Sequence, residues 1–426
     1  QGPTSASRPP PLAQRIVRLA MAMSRSATRV AALCAAGLAA SSAFSVAPSV
    51  WSTAPGHSAV ALPASGVGAA SFGAGAAPAQ SGISARALGL VALAAAGTAL
   101  IVQNKGGGHG EIGYHLAMQL AKEKGLKVTM ITDTAAKMGT PPFNAYKDLE
   151  AAGVTLKQAD LKAGGLKAAM AGMAPCDYVF HNDNVCADEV QEIVAPWKPK
   201  AYAYVSSGGM YKPIESGPLV ETGAVKEDNK QLGIEKTAAA KGLRWSAFRP
   251  QYIYGPKTNK PEYLDWFLDR IVRDVPFPLP SDGSRFTTLS NAIDVAGMMA
   301  CVVGKEDAAA GQVFNCANDV LLSHKDLVSM IAKELGKDPA AVLSKVVFYE
   351  PAALKGLELP KKGKFPFRET NFGVGVDKAK SVLGFAPKCR LADDLKWYIE
   401  DYLLADKHTN ELNREWDEAV IKAVSK

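Results

Sequence analysis

The first 90 residues contain no aspartate or glutamate, and their six arginines (Arg8, Arg15, Arg18, Arg25, Arg29, Arg86) leave that stretch strongly basic. Removing those six from the 48 Lys and Arg leaves 42 against 41 Asp and Glu, so the formal +7 belongs to this segment and the remainder is near neutral. Near-neutrality excludes a generally basic nucleic-acid surface; any such surface must be a local patch. The six cysteines form no CxxC pair and show no metal-ligand spacing, which excludes a disulfide framework or zinc ribbon. Cys34 lies in the basic segment; Cys176, Cys186, Cys301, Cys316 and Cys389 read as buried free thiols of a reducing compartment. Long apolar runs are also missing. Residues 30–40 and 87–102 are too short for a comfortable bilayer span, and the end of the second is needed as a strand.

What is present begins with an address. From Met21, the better start, Arg25 and Arg29 precede the apolar run 30–40 and then small residues, the layout of a secretory signal peptide. Phe44 opens an acid-free stretch rich in Ala, Ser, Gly and Pro that ends near Arg86, as in a transit peptide. Together they resemble the bipartite leaders of algae with a secondary red-type plastid. The expectation is a leader over residues 1–97, removed on the way to the plastid stroma.

From Thr98 short β-branched runs alternate with helical segments, which predicts an α/β fold: a Rossmann-type doubly wound parallel sheet with a smaller C-terminal α/β lobe. A strand at 99–102 leads to Gly107, Gly110 and Gly113 and an amphipathic helix. Glycines there let a pyrophosphate approach the helix N-terminus. A glycine-rich turn that binds nothing is the alternative. Asp133, twenty residues after Gly113, stands where an acid hydrogen-bonds an adenosine ribose, and Asp160 lies near the adenine position. Residues 177–181 form the fourth strand; Asn182, Asp183 and Asn184 then replace small apolar residues. The fifth-strand stretch resembles that of the extended short-chain dehydrogenases, and the resemblance places Ser207, four residues before Tyr211, where that family keeps its catalytic serine. The Tyr-x-x-x-Lys that should follow is absent: none of the twelve tyrosines has Lys four positions on, and the candidate stretch reads Leu232 to Lys236. Leucine cannot shuttle a proton, so ordinary dehydrogenase chemistry is not expected, and NAD(P) binding would be vestigial.

The stretches Ala247-Phe248-Arg249-Pro250-Gln251-Tyr252, Asn259-Lys260, Asp265 to Asp274 (DWFLDRIVRD), Phe314-Asn315-Cys316 and Ser206 to Lys212 resemble the chloroplast stem-loop-binding protein family. That family is an atypical branch of the extended short-chain dehydrogenases and epimerase/dehydratases that also lacks the tyrosine. The resemblance covers roughly residues 99–405, but Gly110 restores a glycine that the plant proteins tend to lose. It implies work on structured RNA in the plastid, ribosomes or other large complexes as partners, and association with itself or with relatives. It also implies metal-assisted endonucleolytic cleavage; Asp133, Asp160 and Asp183, at strand ends, are candidates to hold an ion such as Mg. For RNA contact, Lys361, Lys362, Lys364 and Arg368 interleave with Phe365 and Phe367, cations for phosphates and rings for unstacked bases. The alternative is a solvated loop anchored by its phenylalanines. The expected organisation is a nucleotide-binding domain over 98–250, a smaller lobe over 251–405 that returns to the sheet at about 286–316, and a helical tail over 406–426. A nicotinamide-dependent epimerase, dehydratase or reductase using Ser207 and Lys236, or a non-catalytic scaffold, remain the competing functions.

Overall fold

The computed structural model describes residues 97–103, 109–258 and 263–425. The expected leader up to residue 96, Gly107 and the Asn259-Lys260 pair lie outside them. Seven strands form the main sheet: β1 (Thr98–Gln103), β2 (Lys127–Asp133), β3 (Thr155–Ala159), β4 (Tyr178–Asn182), β5 (Ala201–Val205), β6 (Trp245–Pro250) and β7 (Gln312–Cys316). Their order is β3-β2-β1-β4-β5-β6-β7, and every pairing is parallel. β1, β4 and β5 are buried on both faces, as a sheet covered by helices on each side requires. The order reverses between β1 and β4, where Gln103 pairs in register with Asn182, so the crevice of the doubly wound fold opens at that point.

Helix α1 (Gly110–Lys122) packs Ile112, Leu116 and Leu120 on one sheet face, together with α2 (Tyr146–Ala151) and the apolar helix Ala292–Ala300. The opposite face carries α3 (Gly165–Met170), α4 (Ala187–Val194) and α5 (Lys230–Ala240). A second core gathers the aromatic residues of the C-terminal half around Trp266, Phe267 and Trp416. Arg270, in the helix Tyr263–Val272, is 1% exposed and grips Asp417 with two bonds, Nε–Oδ2 at 2.8 Å and Nη2–Oδ1 at 3.0 Å. Its guanidinium also lies 3.8 Å from the Trp266 ring centre, and the Trp266 indole donates to Gly363 O. The specific-looking DWFLDRIVRD stretch is therefore a packing and docking element.

A buried polar chain ties β5, α5, β6 and β7 together. Glu235 accepts from Arg249 Nε at 3.0 Å and Nη2 at 2.6 Å, and from the Ser206 hydroxyl at 2.6 Å. Arg249 Nη1 donates to the Tyr211 hydroxyl at 3.0 Å, which donates to Asn315 Oδ1 at 2.7 Å. Both ionic partners are nearly sealed from solvent, so neither charge can be rehydrated when the other is removed. Glu235→Ala should lower stability by about 3–5 kcal/mol in denaturant unfolding, whereas Glu235→Leu combined with Arg249→Met should recover most of that loss. A single variant that costs under about 1 kcal/mol would show that the pair is not structural.

Candidate functional site

The C-terminal ends of β4, β5 and β6 open a cavity of about 330 Å³ whose walls include Asn182, Asp183, Ser207, Gln231, Tyr252 and Tyr263. This is where an open parallel sheet exposes strand-end groups to a ligand. Ser207 is in the wall, and its Oγ accepts from the Gly209 N–H at 3.0 Å and caps a short turn.

Lys236 corrects the expectation. Its side chain is 62% exposed and its ammonium pairs at 2.9 Å with Glu227, itself 74% exposed, so it takes no part in the cavity. The physical reason is helix register. Glu235 faces inward to Ser206 and Arg249, and the residue one turn before it on the same face is Gln231, which lines the cavity. Leu232 is buried within the protein instead. Among the described residues, neither tyrosine of the cavity wall, Tyr252 or Tyr263, has the lowered phenol that a shuttle needs. Burial raises the Tyr252 and Tyr263 phenols, and the Tyr252 hydroxyl already accepts from the Arg368 N–H. Proton shuttling needs the opposite shift.

The described part of the glycine cradle suits helix-to-strand contact better than an anion. A Cβ on Gly113 would sit 1.4 Å from Gln103 Oε1, so the absence of a side chain there lets the Gln103 amide lie against the helix, and any other residue would displace it. Gln103 is held there by Nε2 donating to Tyr146 at 2.7 Å. Gly110 opens α1 next to Glu111, whose carboxylate is buried, bonds His109 Nδ1 at 2.8 Å and leaves Oε2 without a partner. A buried carboxylate in the first helical turn occupies electrostatically the place a pyrophosphate would need. Asp133 is 3% exposed and accepts from the Ala135 N–H at 2.7 Å, so it closes its own turn. Asp160 is exposed and accepts from the Lys162 and Ala163 N–H groups.

The expectation that Asp133, Asp160 and Asp183 hold one metal ion is also corrected. Asp133 and Asp160 end β2 and β3, on the far side of β1 from Asp183, and the three form no ligand group among the described residues. Asp183 instead meets His181 and Cys186, a cluster that paired-cysteine spacing cannot reveal because its ligands are of three kinds. Burial raises the Asp183 carboxyl, but His181 and the Cys186 donors outweigh it and hold it at about 2. The Cys186 thiol is pushed up by burial and by the Asp183 charge.

In the basic loop, Lys361, Lys362 and Lys364 are exposed, or nearly so, whereas Phe365 and Phe367 are 3% and 6% exposed within the second core. Those rings offer no face to an unstacked base. Arg368 is likewise committed: it donates to Tyr211 O and Gly209 O and lies 3.6 Å from the Phe372 ring centre. The loop thus keeps three exposed cations and buries its anchors, with Lys361 and Lys364 lining a groove of about 570 Å³ that also includes Lys355 and Leu357.

No family model matches the sequence. The chain is 33% identical over 224 residues to the "Chloroplast stem-loop binding protein of 41 kDa b, chloroplastic" of Arabidopsis thaliana, over 51% of this chain and 57% of that protein. It therefore spans a little over half the length of this curated relative. Among solved structures it is similar to a dTDP-glucose 4,6-dehydratase of Bacillus anthracis in complex with NAD (TM-score 0.57, 14% identity, covering 76% of this chain and 99% of that one). A UDP-glucuronic acid 4-epimerase of Bacillus cereus with NAD matches at TM-score 0.54 and 17% identity, over 71% and 99% of the two chains. The fold is that of the Rossmann-type epimerases and dehydratases.

The anchor under the basic loop has a titratable member. His324 is fully buried against the Phe365 and Phe367 rings, with centroids at 5.0 and 5.7 Å, and neither ring nitrogen finds a partner. Burial, reinforced by the Arg285 charge, lowers it from 6.5 to about 4. Between those values the unfolded chain takes up a proton that the folded chain refuses, so stability falls as pH falls, by at most about 1.4 kcal/mol per unit from this group. Unfolding measured from pH 7 to 4 should show this decline, and His324→Phe should flatten it; an unchanged slope would assign the decline to other groups.

Proposed function

We propose that this chain is a plastid RNA-binding protein of the stem-loop-binding type, and that its sheet-end cavity does not carry dehydrogenase chemistry. The observation that carries this reading is the 33% identity over 224 residues to a protein named for binding stem-loops. Supporting it, the cavity lacks a lysine-activated phenol, and Lys236 points to solvent. The described cradle, with Glu111 buried in the first turn of α1, favours neither tight NAD(P) binding nor turnover. Likeness to NAD-dependent enzymes at 14–17% identity supports a shared fold and nothing more. Among the described residues no helix is long and apolar enough to cross a membrane.

Lys361, Lys362 and Lys364 are our candidates for phosphate contact, in a chain whose charges otherwise nearly cancel. Endonucleolytic cleavage is the second arm of the reading. Of Asp133, Asp160 and Asp183 only Asp183 lines the cavity, so cleavage of a bound stem-loop should stop with Asp183→Asn while binding persists. Attachment to plastid ribosomes, or to further copies or relatives of this chain, belongs to the same proposal and is checked by co-sedimentation with stromal particles.

The deciding measurement is a salt titration on a structured RNA, with folding verified for each variant. Replacing the three lysines by alanine should weaken binding and make the slope of log affinity against log salt shallower by up to about 2–3, at roughly 0.7–0.9 for each phosphate no longer neutralised. Arg368→Ala should instead lower thermal stability, because its guanidinium is spent on Tyr211 O, Gly209 O and Phe372. An unchanged slope in the triple variant would move the RNA surface elsewhere. Rapid NAD reduction with a nucleotide sugar would overturn the whole reading.

A further inference from the structure

We propose that His181, Asp183 and Cys186 form a binding site for a zinc-class divalent ion, beside the sheet-end cavity and apart from the basic loop of Lys361, Lys362 and Lys364. The three residues span the end of β4 and the entry to α4, in the local spacing His-x-Asp-x-x-Cys. Their donor atoms, one imidazole nitrogen, one carboxylate oxygen and one sulfur, all lie within 4.8 Å of one another, and all three residues are buried. This is a nitrogen–oxygen–sulfur set suited to zinc; magnesium and calcium take oxygen ligands and do not select sulfur.

Two further observations point to a ligand. His181 Nε2 and Asp183 Oδ1 are buried polar atoms without a hydrogen-bond partner, and the His181 and Asp183 side chains are 0% exposed. Orphaned buried polar atoms are costly, and an ion would satisfy both. The separation of His181 Nε2 from Asp183 Oδ2, 3.8 Å, is too long for a hydrogen bond to serve instead. The imidazole is also oriented as a metal ligand is: Nδ1 lies 2.6 Å from the Tyr202 hydroxyl, and Gln191 Nε2 donates to that oxygen at 3.3 Å. In the tautomer that carries its proton on Nδ1 and donates it as a hydrogen bond to Tyr202, the Nε2 lone pair faces the cluster, and an ion at the cluster selects that tautomer.

Asp183 is already shaped for the task. Its Oδ2 accepts the Val185 and Cys186 N–H groups at 2.8 and 2.7 Å, which turns the chain so that Cys186 Sγ comes to 3.1 Å from the same oxygen. Without an ion, the thiol donates a hydrogen bond to that carboxylate and keeps its proton. On binding, the thiol proton is released to solvent and the sulfur ligates as thiolate. Three protein ligands leave a fourth position, which a water from the cavity lined by Asp183 completes.

Cobalt(II) serves as the probe, since a thiolate ligand gives a sulfur-to-metal charge-transfer band and four-coordination gives intense visible bands. The full chain, purified reduced and metal-free, should bind one equivalent of cobalt(II) with both features, and zinc(II) should displace it stoichiometrically. Direct addition of zinc(II) to the metal-free chain should release a proton. Cys186→Ser should remove the charge-transfer band, whereas Cys389→Ser, which alters a thiol outside the cluster, should retain it. Tyr202→Phe, which keeps all three ligands, should weaken binding roughly 10–100-fold, as loss of a ligand-orienting partner does. A wild-type chain with a normal thermal transition and no charge-transfer band overturns the proposal. So does a band that survives Cys186→Ser or disappears with Cys389→Ser. If Cys186→Ser does not fold, the wild-type titration and Tyr202→Phe decide it: no wild-type band, or unchanged affinity in Tyr202→Phe, counts against the site.

Discussion

The bidentate pair between Glu235 and Arg249 is the constraint on which the rest of this architecture depends. Burying two opposite charges is costly unless each has its full set of partners, and here Ser206, Tyr211 and Asn315 complete the set across three strands and a helix. The pair therefore dictates the rotation of α5 about its own axis. Once Glu235 must face Arg249, Gln231 faces the cavity and Lys236 faces water. The leucine at 232 thus belongs to a helix face set by the Glu235–Arg249 pair, and that face is structural.

Much of the fold is legible in the sequence because parallel sheets write themselves as buried β-branched and aromatic runs separated by amphipathic helices. β1, β4 and β5 are such runs, and Gly113 is needed where α1 crosses Gln103. The register of α5 is not legible. Its buried apolar residues fall at 232, 234 and 238 without a single helical stripe, and only the distant Arg249 reveals which side is inward. The basic loop is ambiguous in a similar way. Alternating cations and phenylalanines look the same in one dimension whether the rings face solvent or core, and only contacts with His324 and Trp266 separate the two. Asp183 stands out by its strand-end position, but its neighbours His181 and Cys186 do not, because mixed ligands carry no repeated-residue signature.

The crevice at the switch point is lined by polar and acidic groups, Asn182 and Asp183 among them, and α1 opens next to the buried carboxylate of Glu111. The exposed lysines Lys361, Lys362 and Lys364 lie instead on the C-terminal lobe, around a loop anchored beneath by Phe365 and Phe367.

The grip of Arg270 on Asp417 joins residues 147 positions apart. During synthesis the aromatic lobe therefore cannot reach its final packing until the helix Glu415–Val424 has left the ribosome, and until then Arg270 lacks its carboxylate and Tyr349 lacks the Trp416 ring. The seven strands of the main sheet have all emerged by residue 316, although Ala379, Leu383 and Phe385 join its core later. The order of emergence thus imposes an order of assembly, with strands free to pair while the aromatic lobe still lacks the carboxylate that its buried arginine requires.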